Sequence, residues 1–529
     1  MKSPIVLLSI GFLAICLAMT NCTPQYEIII QNGLVYDGSG AAPFEADIAV
    51  ADGKIVEIAE KINNIAERKI DAEGLVVAPG FIDVHAHLGP LPMMPDAQSH
   101  VRQGVTTAVG GPDGGSPLSI GNYLDSLEAI GIGMNVAYLI GHNAVRTEVL
   151  GLDNRAPTPE EMESMKGHVE KAMLEGAFGI STGLKYLPGA FAKTEEVVEL
   201  SKVVAKYGGV YTTHMREEGL GLLDAVEETI GIAEGANIPV VITHHKAIGQ
   251  PVWGQSKNSL AMVDSARARG LNVMIDQYPY TASSTSLSVL IPPWAMEGGQ
   301  FVAFDKRCED PVLRDSIKRG IVFNILNDRG GGDLRRIQFS SFDWKPELNG
   351  KTLYDWALAE NLEPNAENGA ELVIQAQLRR GAKCIFHAIN EEDVKRIMAH
   401  PQTMIASDGR LNELNQGHPH PRAYGTFPRV LGYYAREEKV IHLETAIYKM
   451  SGLPAKNFNI KKRGVLQKGN YADITIFDAA TIIDKATFEA PHQYPEGIHF
   501  VIVNGKITLE GIQYYDVRAG RTLRKEMNL

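Results

Sequence analysis

The chain has 529 residues, a formal net charge of −12, 44% hydrophobic residues and 22% charged residues. These values exclude a disordered chain, and the absence of any long basic run argues against nucleic-acid binding. One compact core rarely grows so far, so a large domain of roughly 250–400 residues with at least one smaller companion is expected.

Residues 1–22, "MKSPIVLLSIGFLAICLAMTNC", place one lysine before an apolar run. The run falls short of the roughly 20 residues a spanning helix needs, so it reads as a secretory signal. Cys22 resembles the lipidation site of bacterial lipoproteins, although Met19-Thr20-Asn21 departs from the usual small-residue pattern. Plain cleavage nearby is the alternative. Either reading implies export, to the periplasm or to a lipid anchor on the membrane. Beyond the signal only Cys308 and Cys384 remain, too few for a disulfide framework.

Residues 26–76 alternate in strand fashion, with hairpin turns expected at Asn32-Gly33 and Asp52-Gly53. Residues 77–284 then repeat short apolar strands between helical stretches, which predicts a parallel sheet or barrel of βα units. "IDVHAHL", "VTTAVGG", "MNVAYLIG", "FGIST", "GVYTTH", "IPVVITHH", "LNVMIDQYPY" and "TMIASDG" are the strand candidates, and their number suits a (β/α)8 barrel. Residues 285–350 break the rhythm and read as an insertion. Residues 351–455 resume the barrel, and 456–515 return to hairpins, with a turn at Asn504-Gly505. The run "CIFHAI" at 384–389 is a strand candidate with no clear place.

"APGFIDVHAHLGP" carries the strongest chemical signal. His85 and His87 are two apart on a strand, so both rings point to one face, where they can share a divalent metal. The spacing alone leaves a core or surface role equally open. The Pro-Gly-Phe-Ile-Asp lead-in resembles the first metal motif of the amidohydrolase superfamily. That resemblance implies further ligands at strand ends: His214 in "VYTTHMREEG", His244 in "VVITHHKAIG" and Asp408 in "TMIASDG". Neighbouring strand residues face opposite ways, so only one of His244 and His245 points inward; the family pattern favours His244, with Lys246 inward again.

Within the superfamily, "QGVTTAVGG", "FGISTGLKY", "THMREEG", "THHKAIG", "YPYTASST", "ASDG" and "HPRAYGTFPRVLG" together resemble the N-acyl-D-amino-acid deacylase (D-aminoacylase) family from about residue 26 to 515. The resemblance implies a (β/α)8 barrel, a small β-sandwich built from both ends of the chain, and hydrolysis of N-acyl-D-amino acids. It implies one or two divalent metal ions, zinc above all, with Asp408 as the general base. Lys246, Tyr278, Tyr280, Ser284 and Arg422 are expected around the substrate carboxylate, and Tyr186 at the developing oxyanion. A related amidohydrolase acting on D-residue dipeptides or cyclic amides is the alternative.

One departure matters. D-aminoacylases place a cysteine ligand after the "GVTT" strand; here the stretch reads "GGPDGG", with Asp113 near that place. Either Asp113 substitutes or the bridge comes from elsewhere. Lys185, at the end of the fourth strand candidate, is the expected source, as a carboxylated lysine of the kind hydantoinases use. Direct binding of a substrate carboxylate, or a solvent-directed side chain, are its rival readings. His142, in "LIGHN", reads as a rim residue or a structural histidine.

Overall fold

The computed structural model describes residues 25–526, and the expected signal and the lipidation site at Cys22 lie outside them. Among the described residues no helix is long and apolar enough to cross a membrane. The fold is α/β.

Strands from both ends of the chain form one nine-stranded sheet. The seam is Val76–Pro79, parallel to Tyr26–Val35 on one side and antiparallel to Ile474–Phe477 on the other. Ile28, Ile30, Ile48, Val50, Ile474 and Ile476 share its buried core. Asp52-Gly53 and Asn504-Gly505 both have positive φ at the two hairpin positions, as two-residue turns of this kind require. Asn32-Gly33 corrects the expected turn. It lies inside the strand Tyr26–Val35, where the pairing with Phe44–Ala51 shifts register between Ile30 and Gly33. Asn32 takes a φ of 59° and donates its N–H to Asp47 Oδ1 at 2.9 Å, so the extra residue is absorbed as a bulge.

The middle of the chain holds parallel strands, buried on both faces, as their continuous apolar runs require. Phe81–Asp83, Val105–Gly110 and Asn135–Tyr138 form one sheet. Ile140–Gly141, Gly179–Gly183, Val210–His214, Val240–Ile242, Val273–Gln277 and Thr403–Ile405 form another, in that order. Beyond the strand tips, Ala86–His87 pairs with Gly409–Arg410.

Residues 283–386 make a unit with its own core of Leu287, Phe304, Ile321, Phe339, Phe342, Trp356 and Phe386. Its sheet is antiparallel, with Lys383–Phe386 between Ser283–Ser286 and Ile337–Ser341. This places the "CIFHAI" run. The expected end of the insertion at residue 350 falls inside this unit, because the helices Leu353–Ala359 and Ala366–Leu378 bury their apolar faces in the same core.

Candidate functional site

Six side chains converge just past the C-terminal ends of the parallel strands. His85 and His87 follow Phe81–Asp83, and His214 ends Val210–His214. His244 lies two residues past Val240–Ile242, Asp113 in the loop after Val105–Gly110, and Asp408 past Thr403–Ile405. Asp113, His244 and Asp408 have φ of 53°, 36° and 48°, a region that side chains other than glycine rarely occupy. The neighbours enforce it. His244 donates its N–H to Asp276 Oδ1 at 2.6 Å, and Asp408 donates its own to the His85 carbonyl at 2.9 Å. Gly114, beside Asp113, packs so closely on Asn143 that a Cβ would collide with it.

His85, His87, Asp113 and Asp408 can each turn one donor atom to a common point, and so can Asp113, His214 and His244. Asp113 belongs to both groups. Its Oδ1 is 3.5 Å from Nε2 of His85, 3.5 Å from Nε2 of His244 and 3.9 Å from Nδ1 of His214. Its Oδ2 is 3.5 Å from Nε2 of His87. Asp408 Oδ1 lies 3.0 Å from His87 Nε2 and 3.5 Å from His85 Nε2, while Oδ2 lies 2.8 Å from Arg422.

The donor set fits divalent metal. Both ring nitrogens of His85 and His214, Nε2 of His244 and Oδ1 of Asp113 are buried without a hydrogen-bond partner, which is costly unless something positive binds them. Four imidazoles and two carboxylates suit zinc, and one carboxylate in both groups suits two ions. The field agrees. Burial pushes His87 and His244 down, yet the surrounding carboxylates win and raise them to about 9 and about 10, a pull on positive charge that a cation meets equally well. Burial likewise opposes ionisation of Asp408, but Arg422 and the histidines hold its carboxyl far below the usual range.

The cluster floors a cavity of about 620 Å³ whose walls include Tyr186, Lys246, Tyr278, Ser284 and Arg422. The Tyr186 ring lies 4.5 Å from that of His214, and its hydroxyl is 3.1 Å from Thr285 Oγ1. Burial raises the Tyr186 hydroxyl far above its ordinary value, so it stays protonated. The Arg422 guanidinium sits 4.7 Å over the ring of Tyr278, whose buried hydroxyl has no partner.

Three expected residues stand elsewhere. Lys185 is not brought to the cluster. The strand stops at Gly183, the chain turns, and Nζ of Lys185 donates to Glu217 Oε1 at 2.6 Å. There it lines a second cavity of about 840 Å³ that adjoins the first along Tyr186, Ser286, Ser341 and Lys383. Lys185 pairs with Glu217 and belongs to neither donor group, whereas Asp113 lies between the two. Tyr280 points out of the pocket, its hydroxyl 3.4 Å from Asp484, because the chain has left the strand and alternation no longer governs it. His142 is buried behind the site, 2.8 Å from Glu196, which also pairs with Arg146. His245 points away from the cluster to Ser259 Oγ at 2.8 Å.

Glu218 and Arg329 escaped the sequence reading. Glu218 is buried, with Oε1 2.5 Å from Lys246 Nζ and 3.1 Å from His244 Nδ1, and Oε2 3.6 Å from His214 Nε2. Arg329 NH2 approaches its Oε2 at 4.0 Å. Burial opposes the Glu218 charge, but Lys246 and the histidines hold the carboxyl well below its usual value. Its position four residues after His214 was the available signal; Arg329 comes from the insertion and had none.

The amidohydrolase family model matches residues 68–292 and 356–509. The chain is 37% identical to the D-aminoacylase of Alcaligenes xylosoxydans xylosoxydans over 524 residues, 94% of this chain and 98% of that protein. It is similar to the crystal structure of N-acyl-D-glutamate deacylase from Bordetella bronchiseptica in complex with zinc and a phosphonate inhibitor that mimics the tetrahedral intermediate. That match has a TM-score of 0.80 and 33% identity, and covers 94% of this chain and 99% of the other. A D-aminoacylase structure described for its binuclear metal centre matches with a TM-score of 0.80 and 34% identity, covering 94% and 100%. The chain belongs to the amidohydrolase family, and within it to the D-aminoacylase group.

Proposed function

We propose that the protein is a zinc-dependent deacylase that hydrolyses N-acyl-D-amino acids to a carboxylate and a free D-amino acid. The observation that carries this is the convergence of His85, His87, Asp113, His214, His244 and Asp408 beneath a pocket whose wall ends in Arg422. His85, His87, Asp113 and Asp408 would hold one ion, and Asp113, His214 and His244 the other. Zinc supplies Lewis acidity there, toward the amide carbonyl and toward water at neutral pH.

The chain's own groups do the rest. Arg422, with Tyr278, Ser284 and Lys246 around it, receives the substrate carboxylate, since a guanidinium offers bidentate geometry. Asp408 takes the proton of the attacking water and passes it to the leaving amine. Arg422 lies 2.8 Å from Asp408. A substrate carboxylate that draws Arg422 away therefore removes the counterion of Asp408 and raises its basicity as the substrate binds. Tyr186 donates its retained proton toward the developing oxyanion. The dipeptidase and cyclic-amidase alternative leaned on Lys185, and its pairing with Glu217 withdraws that support.

We also read the parallel strands as one (β/α)8 barrel and the nine-stranded sheet as its sandwich partner. Asn135–Tyr138 and Ile140–Gly141 count as one strand, giving eight. The pairing of Ala86–His87 with Gly409–Arg410, and the Ser407 N–H to Asp83 Oδ1 bond of 3.0 Å, support closure of the last strand onto the first.

The test is hydrolysis of N-acetyl-D- and N-acetyl-L-amino acids by zinc-loaded protein, before and after chelation. Turnover of D-substrates alone, lost on chelation and restored by zinc, is expected. Activity confined to D-residue dipeptides or cyclic amides would overturn the assignment.

A further inference from the structure

Glu218 faces two candidate ligands at once, and each through the ring nitrogen that the ligand turns away from Asp113. His244 presents Nε2 to Asp113 at 3.5 Å and Nδ1 to Glu218 Oε1 at 3.1 Å. His214 does the opposite, with Nδ1 3.9 Å from Asp113 and Nε2 3.6 Å from Glu218 Oε2. His214 Nε2 and Glu218 Oε2 are both buried without another hydrogen-bond partner. A neutral imidazole carries one proton, and the nitrogen that bears it cannot ligate. A carboxylate accepts but never donates, so whichever nitrogen faces Glu218 is the one that keeps the proton.

We propose that Glu218 is a positioning residue that fixes opposite tautomers on the two histidines, leaving Nε2 of His244 and Nδ1 of His214 free to bind the ion they share with Asp113. This rests on the metal-dependent reading above and deepens it. Lys246 sharpens the point. Its Nζ lies 2.9 Å from His244 Nδ1 and competes for that nitrogen. Glu218 Oε1 at 2.5 Å and the His244 carbonyl at 2.8 Å take up two of the three ammonium donors, and Glu218 sets a carboxylate oxygen against the third for possession of Nδ1. Without the carboxylate nothing would oppose the Lys246 contact to Nδ1, which would then move the His244 proton to Nε2 and block the ligand. One side chain thus serves both histidines and holds the lysine that lines the substrate pocket. Carboxylates placed behind metal-bound histidines orient the ring in this way, and losing one costs about 10–100-fold in metal affinity.

The experiment titrates zinc into wild type, Glu218→Gln, Glu218→Asp and Asp328→Asn, and counts bound ions by elemental analysis. Asp328 belongs to the same ion-pair chain, 3.4 Å from Arg329, but is not paired with either histidine. Glu218→Gln should weaken one of the two zinc ions by about 10–100-fold and leave the His85–His87 ion in place. Glu218→Asp should recover part of the loss, and Asp328→Asn should match wild type. Wild-type affinity for both ions in Glu218→Gln, or the same loss in Asp328→Asn, would overturn the inference while leaving the proposed function standing. A wild type that binds no zinc would remove both. Should Glu218→Gln fail to fold, histidine ¹⁵N spectra of the zinc-loaded wild type decide the matter. They should show protonated Nδ1 on His244 and protonated Nε2 on His214; the reverse pattern on either ring contradicts it.

Discussion

Asp408 divides its work between two oxygens, one toward His85 and His87 and the other toward Arg422. Asn keeps the shape and loses both charge and basicity. Asp408→Asn should therefore lower kcat by about 10²–10⁴-fold, measured in steady state on an N-acetyl-D-amino acid. Tyr186→Phe tests the oxyanion role. It should cost about 10²–10³-fold in kcat with little change in KM or metal content, since the ring and its packing on His214 remain. Arg422→Lys should raise KM instead, because a lysine cannot copy a bidentate fork.

At the scale of elements, strand ends decide what a sequence reader can see. His85, His87, His214 and His244 stand at or next to strand tips, where alternation and familiar motifs coincide, and they were legible. Lys185 and Tyr280 lie past the last residue of their strands, Gly183 and Gln277. There the turn, not the pleat, aims the side chain: His85 and His244, themselves two residues past their strands, turn into the cluster, whereas Lys185 turns to Glu217 and Tyr280 to Asp484. Asp113 was legible only as a replacement for an absent cysteine, since nothing local shows that its loop lies between two donor groups. Gly114 of that loop packs against Asn143, which also ties the turn that carries Tyr186. The Asn143 side chain donates to the carbonyls of Gly183 at 3.0 Å and Tyr186 at 3.3 Å, and accepts from Gly183 N–H at 3.2 Å. Asn143→Ala removes the partner of the buried Gly183 N–H and one of two partners from each of the Gly183 and Tyr186 carbonyls, which keep the N–H groups of Tyr186 and Ala190. It should cost about 1–3 kcal/mol, seen as a lower urea midpoint, and reduce kcat by misplacing Tyr186.

Across the whole molecule, both ends of the chain meet in one sheet; the hairpin patterns gave its strands, the family resemblance implied that the two ends join, and neither located the seam at Val76–Pro79. Lys449 binds the outer layer to the parallel strands. Its buried amine donates to the carbonyls of His400 at 2.5 Å and Thr403 at 3.1 Å, and burial pushes it down to about 7. The unfolded chain, titrating near 10.5, holds that proton more tightly. The contribution of Lys449 is thus complete above that value and is lost as pH falls through about 7. Urea midpoints should rise from pH 7 to pH 9.5 in the wild type and rise less in Lys449→Met; parallel slopes would contradict this.

The central claim is that Asp113, in place of a cysteine or a carboxylated lysine, joins the two halves of a binuclear centre. Elemental analysis of zinc-loaded wild type, Asp113→Ala and Lys185→Ala tests it most directly. Two ions per chain are expected in the wild type and in Lys185→Ala, with at least one lost in Asp113→Ala. A full complement in Asp113→Ala, with metal lost from Lys185→Ala, would contradict it.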